Sequence, residues 1–588
     1  MTMLDLAIRG ALIIDGTGGE PYSGDVGIAS GRIASVGRTG PAREEIDARG
    51  RILTPGFIDI HTHFDGQATW ENRLAPSSEH GVTTVVTGNC GVGFAPCRPG
   101  DRDALLALME GVEDVPDVVM AAGLPWTWTS FPEFLDFLDQ RQFDIDVAVQ
   151  IPHSPIRVFV MGQRGVDRAP ATPGEIERMA ALVEEAIGVG AIGVSTSRFL
   201  LHRTKAGKLS PSVDAAEQEL LGLAEGLRRA GDGVFQLIAA VDSTAADEYA
   251  LMRRLVEKSG RPLSFTLVAE QLPNYPGEKD AWRIFRHRLA TDQPAGAPIR
   301  GQIFPRPIGT LLGLDLSYHP FSLNPSYAPL RDLPLPERVA RMRDPTIRAR
   351  LLAETPQSDN LPALRMVSLD REHYRLGDPP RYDPTPDEEI GRLAARAGRR
   401  KADLLYDCLL EDDGKAILYC PSGNFIDHRL DAAGELLRDP NTIVALGDAG
   451  AHYGMICDAS YPTFLLTYWV RDAAPGAGLT LPDAVRKLSA IPADAVGLSD
   501  RGTIAVGQKA DLNIIDLERL RLHGPAVFHD LPAGGRRLRQ RADGIAATIV
   551  SGEVTYRDGI PTGRLPGRLV RRGRTAAFAS RTNGDSRS

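Results

Sequence analysis

Positive charge is in deficit: 67 Lys and Arg against 76 Asp and Glu leave a net charge of −9. That excludes a nucleic-acid binder working through bulk positive charge, because neutralised phosphates dominate such affinity. Cysteine is scarce. Five thiols in 588 residues are too few for a disulfide framework, and an odd number cannot all pair. No run of 18 apolar residues occurs, which excludes a membrane-spanning helix. The opening MTMLDLAIRGALIIDG has no basic segment followed by an uninterrupted apolar stretch, so it does not read as a secretory signal. What is present is a globular balance, 43% hydrophobic and 24% charged. The length suits one large enzyme domain with attachments. A cytoplasmic enzyme is the expectation.

The two ends read as β structure and the middle as alternating helix and strand. Short apolar stretches with turn signals run from Leu4 to Val36, and ADLNIIDLE and AATIVSGEVTYRDG repeat the style near the other end. Neither end has enough strands to bury a sheet face alone, so the two should pair into one small sandwich, 1–54 with 500–571. Thr172-Pro173-Gly174-Glu175 is a capping box, and Ile176, Met179, Val183 and Ile187 follow at helical spacing before Gly190. Strand AIGVSTS comes next, and the rhythm recurs after Gly231 and Gly260. Further strands are predicted at 57–61, 83–87, 147–151, 299–304 and 442–446. Eight strands with intervening helices predict a (β/α)8 barrel, an α/β fold, over 55–304 and 442–499. A doubly wound sheet is the alternative, but no Gly-rich dinucleotide fingerprint follows a strand. The stretch 305–441 is too long for a connection. It is predicted to be an insertion between strands 7 and 8, lying over the barrel mouth. Residues 572–588 are expected to be a disordered tail.

Three stretches carry chemistry. In Thr54-Pro55-Gly56-Phe57-Ile58-Asp59-Ile60-His61-Thr62-His63, alternation on a strand aims His61 and His63 at one point, as a transition-metal ion requires. In Gly88-Asn89-Cys90-Gly91, Cys90 ends the second strand where a thiolate could reach the same metal. In Leu446-Gly447-Asp448-Ala449-Gly450-Ala451-His452, Asp448 would complete the metal site and act as general base on water. His452 and Asp458 on that loop are expected to face substrate or to be structural. Cys97, Cys408, Cys420 and Cys457 read as structural.

In combination these motifs resemble the amidohydrolase superfamily, and within it the N-acyl-D-amino-acid deacylase (D-aminoacylase) branch. The resemblance covers most of the chain, including IRGALIIDGTG, PGFIDIHTHFD, GVTTVVTGNCG, PHSPIRVFVMG, GAIGVSTS, RGTIAVGQKADLNIID and TGRLPGRLVR. It implies a zinc barrel enzyme hydrolysing the amide of an N-acyl amino acid. His61, His63 and Cys90 match family metal ligands, and Asp448 matches the catalytic aspartate. The chain also departs from the pattern. Strands five and six, where the family supplies two histidines, read GVFQLIA and LSFTLVAEQ; Gln236 is the one side chain of strand five able to coordinate weakly. The family's basic residue after strand six is absent, as is its His-Pro-Arg after the aspartate. One zinc is therefore expected rather than two, held by His61, His63, Cys90 and Asp448.

Other cations are candidates for substrate binding: Arg198, His202, Arg203 and Lys205 after strand four, and Arg157 and Arg164 after strand three. His153, just past strand three, joins them. The expected activity is metal-dependent hydrolysis of a carbon–nitrogen bond, D-aminoacylase-like. A single-metal amidohydrolase acting on a different linear or cyclic amide is one alternative. An inactive binding or scaffold protein on the same fold is the other. A small-molecule amide is the expected partner, without nucleic acid or membrane, and self-association into a homo-oligomer stays open.

Overall fold

The computed structural model describes residues 3–269, 278 and 280–572. Eight parallel strands stand side by side in chain order: β1 (Phe57–Asp59), β2 (Val82–Thr87), β3 (Asp146–Pro152), β4 (Gly193–Ser197), β5 (Val234–Ile238), β6 (Leu263–Thr266), β7 (Ile299–Ile303) and β8 (Thr442–Val444). Val85 pairs with Val147, Gln236 with Ser195, and Gln302 with Ile443. Between β8 and β1 two bonds from the following loop close the ring. The Asp448 N–H donates to the His61 carbonyl at 3.1 Å, and the His63 N–H donates to the Ala449 carbonyl at 2.7 Å. The predicted barrel is therefore formed. VTTVVT and DVAVQIP are buried throughout, as strands covered on both faces must be.

The helices start and stop where their chemistry dictates. Thr172 and Glu175 cap helix Pro173–Gly188 reciprocally, and Met179, Ala180, Val183 and Ile187 face the barrel. Gly231 and Gly260 end Glu217–Ala230 and Ala245–Ser259 in the left-handed conformation. Each αβ unit thus returns the chain to the foot of the next strand, leaving the opposite ends free for the site.

Strands from both ends of the chain form one nine-stranded sheet. Its centre is the antiparallel pairing of Ile52–Pro55 with Leu512–Ile515. A bulge between Ile8 and Ala11 lets Leu4–Ile13 pair first with Ala42–Asp47 and then with Ile52–Pro55. Leu6, Ile8, Ile28, Leu53, Ile514 and Ile549 share its separate core. Beyond the sheet the chain runs back along the barrel, with the Val570 N–H donating to the Val147 carbonyl at 2.7 Å. Arg572 still pairs with Asp232 at 3.2 Å, and 573–588 of the expected tail lie outside the described residues.

After β7 the chain builds a three-stranded sheet from Ile308–Leu312, Leu418–Gly423 and Tyr374–Arg375, packed with helices around a third core. It is tied to the catalytic face: the Leu311 N–H donates to the Met455 carbonyl at 2.7 Å, and the Asn424 N–H to the Ala269 carbonyl at 2.7 Å. Helix Asp431–Arg438 then packs on β7 and β8 as an ordinary barrel helix.

Candidate metal centre and active site

Strand alternation places His61 and His63 on one side of β1's extension, while the Thr62 hydroxyl turns to the Val86 carbonyl at 2.8 Å. His61 Nδ1 lies 2.6 Å from Gln302 Oε1 on β7. The Gln302 amide nitrogen donates to the Ser264 hydroxyl at 2.8 Å, so its oxygen faces the imidazole. Nδ1 therefore carries the proton, and the Nε2 lone pair points to the cluster. Nε2 is 3.2 Å from Cys90 Sγ, and Cys90 Sγ is 3.6 Å from His63 Nε2. All three ligand atoms lie within 4.8 Å of one another, and all three residues are buried. Asp448 Oδ1 stands 3.5 Å from His61 Nε2 and 3.6 Å from His63 Nε2.

This donor set fits zinc. Ligand atoms about 2.0–2.3 Å from a tetrahedral zinc stand roughly 3.3–3.7 Å from each other. Two imidazole nitrogens, a thiol sulfur and a carboxylate oxygen are the atoms zinc takes. Their protonation agrees with a place for a cation. Burial pushes the Cys90 thiol up to about 12, so the thiolate there awaits positive charge. Burial would raise Asp448 too, but the His63 and His61 imidazoles outweigh it and hold the carboxyl at about 2.

The local backbone is bent to make the cluster. Cys90, Leu446, Asp448 and His452 all have positive φ, a left-handed conformation that costs an L-residue on the order of 1 kcal/mol. Gly447 is glycine for a spatial reason: a Cβ there would lie 2.0 Å from Asp59 Oδ2. Asp59 is buried beneath the loop, accepts the His61 N–H at 3.0 Å, and is pushed by burial up to about 8.

A cavity of about 600 Å³ opens above these residues. His61, His63, Cys90, Asp448 and His452 line it, together with His202 and Asp458. The other predicted substrate residues do not. His153 is fully buried, with Nδ1 2.8 Å from the Thr196 hydroxyl and Nε2 2.8 Å from Glu219. Arg157 is buried on the Pro211 carbonyl and Glu219. Arg198 grips Glu248 at 3.1 Å, Arg203 is held by the Leu200 and Gly207 carbonyls, and Lys205 pairs with Glu110 at 2.5 Å. Arg164 pairs with Glu175 at the surface. Each basic side chain is held by an acceptor that does not line the cavity. The Gln236 oxygen accepts the Cys90 N–H at 3.2 Å, holding the loop that presents the thiol. The insertion lends the cavity one residue, Ile308.

Sequence reasoning missed Glu113. It ends helix Arg102–Glu113, whose buried face Leu105, Leu108, Met109 and Val112 it extends. Its carboxylate lies 3.5 Å from His63 Nε2 and 3.3 Å from His452 Nε2, and burial pushes it up to about 7. An acidic residue continuing an apolar helical face was the available signal.

A model of the amidohydrolase family matches residues 44–556. The chain belongs to the amidohydrolase family. D-Aminoacylase from Alcaligenes xylosoxydans xylosoxydans is 26% identical over 97% of this chain and 98% of its own. N-acyl-D-glutamate deacylase from the same organism is 28% identical over 98% of each. Among solved structures, that of D-aminoacylase superposes with a TM-score of 0.64 at 22% identity, covering 97% of this chain and 100% of that one. The Bordetella bronchiseptica N-acyl-D-glutamate deacylase, complexed with zinc and a phosphonate mimic of the tetrahedral intermediate, gives the same values. These structures share the fold. This amidohydrolase is a hydrolase of carbon–nitrogen bonds, D-aminoacylase-like. Among its described residues no helix is long and apolar enough to cross a membrane.

Proposed function

We propose that the chain hydrolyses the amide of a small N-acylated compound, using one zinc ion held by His61, His63 and Cys90 with Asp448 on the cavity side. The convergence of those four side chains on one point at the barrel mouth carries the reading. Bound there, zinc supplies a Lewis acid for the amide carbonyl and lowers the pKa of water. Gln302 fixes the His61 tautomer, and Glu113 adds a carboxylate beside His63 Nε2, the nitrogen that faces Cys90 and Asp448. Asp448, a quarter exposed to the cavity, accepts the proton of the attacking water and passes it to the leaving nitrogen. A single ion is supported by β5 and β6, which carry no histidine. His452 and His202 stand where they can meet the substrate. We place the enzyme in the cytoplasm, where a Cys90 thiol stays reduced and able to ligate.

The test is turnover by metal-stripped and zinc-restored protein on paired N-acetyl D- and L-amino acids and their neutral amides. Zinc-dependent release of amine from at least one class is expected. Absence of zinc-dependent turnover on every one would count against the reading.

A further inference from the structure

The wall facing the metal cluster is apolar. Ile238 and Val241 come from the end of β5, Leu267 and Val268 from the end of β6, and Trp282 and Phe285 from the helix that follows. Among the described residues, no arginine or lysine lines this cavity. Besides Glu113 and Asp448, the carboxylates that line it are Glu278 and Asp458. Asp458 already pairs with the buried Arg306 at 2.7 Å, and Glu278 accepts the Ala245 N–H at 2.8 Å. The cations of the neighbouring loop are committed to Glu248, Glu110 and backbone carbonyls. Neutral donors stand in contrast: the Trp282 indole N–H and the Thr266 hydroxyl are buried with no partner among the described residues.

A carboxylate seated against this wall would lose its hydration, meet no counter-charge among the described residues that line it, and face Asp448 and Glu113 across the cavity. An apolar group would be favoured there by burial alone. A neutral carbonyl could use those two donors.

Resting on the amide-hydrolase reading above, we propose that the cavity selects amides bearing a bulky apolar group and no free carboxylate. The substrates would be N-acyl derivatives of neutral amines or of amino-acid amides.

Full-length zinc-loaded protein is titrated with N-acetyl-D-phenylalaninamide, N-acetyl-D-phenylalanine and N-acetyl-D-glutamate. Binding is followed through Trp282 fluorescence with Trp282→Phe as control, and turnover is measured in parallel. The neutral amide should bind at least tenfold more tightly than N-acetyl-D-phenylalanine, with N-acetyl-D-glutamate weakest. Val241→Arg, which adds a cation to the wall, should bring the free acid up about tenfold. Equal or tighter binding of the free acids, or no binding of the neutral amide, would overturn the proposal. The expected binding order without zinc-dependent hydrolysis would uphold the selectivity and overturn the hydrolase reading instead.

Discussion

Glu113 Oε2 stands 3.5 Å from His63 Nε2 and 3.3 Å from His452 Nε2, while its other oxygen has no hydrogen-bond partner among the described residues. The end of one helix thus reaches a proposed metal ligand and a cavity-lining imidazole together. Glu113→Gln removes a negative charge beside the zinc-facing nitrogen of His63 and should weaken zinc about 10–100-fold, as loss of a carboxylate next to a metal's ligands does elsewhere. Competition with a chelator of known affinity reads this directly. An unchanged zinc affinity would remove Glu113 from the metal site.

Asp448→Asn keeps the shape of the side chain and abolishes its basicity. The maximal rate should fall about 10²–10⁴-fold while the melting temperature stays near that of the parent. A variant retaining a rate within a few-fold of the parent would assign the proton transfer to another group.

The barrel was legible because each αβ unit is punctuated locally: Thr172 with Glu175 opens a helix, and Gly231 and Gly260 close two more. His61, His63, Cys90 and Asp448 were legible because strand alternation and strand ends fix where such side chains point. The substrate wall was not. Arg198 and Lys205 follow a catalytic strand in sequence, yet their direction depends on Glu248 and Glu110, which come from distant segments. His153 likewise reads as a site residue until Glu219 and Thr196 are seen to satisfy both its nitrogens. Local spacing reports which face a side chain takes. Long-range pairing decides what it meets there.

The barrel and the end sheet are joined through Asp146 at the start of β3. It accepts from Arg501 at 2.6 Å, from Lys509 at 2.8 Å and from the Arg568 N–H at 2.9 Å. Burial alone would raise this carboxyl, but the Lys509 and Arg501 charges outweigh it and hold it well below the usual range. Its folded pKa being depressed, its stabilising contribution is present above the unfolded value near ~3.9 and is lost as pH falls below it. Asp146→Asn should cost about 1.5–3 kcal/mol at neutral pH by removing a charged acceptor from Arg501 and Lys509, which keep Asp500 and Asp511 as partners, with the deficit shrinking on acidification below about pH 4. Denaturant unfolding at several pH values checks both parts.

Gly447→Ala would drive a methyl group into Asp59 Oδ2. Because Asp59 is enclosed, the loop carrying Asp448 must shift, and overpacking of this kind costs about 1–3 kcal/mol. Thermal unfolding should show that loss, and zinc affinity should fall with it. A variant equal to the parent in both would mean that Asp59 can move.

Lys205 pairs with Glu110 at the surface and does not line the cavity. Lys205→Ala should therefore change stability by no more than about 0.5 kcal/mol and leave KM unchanged. A raised KM for a carboxylate-bearing substrate would return Lys205 to the site.

The metal content of the purified protein tests the central claim most directly. The account predicts close to one zinc ion per chain, lost together with activity in the His61→Ala/His63→Ala double variant. A metal-free protein whose melting temperature that double substitution leaves unchanged would contradict it.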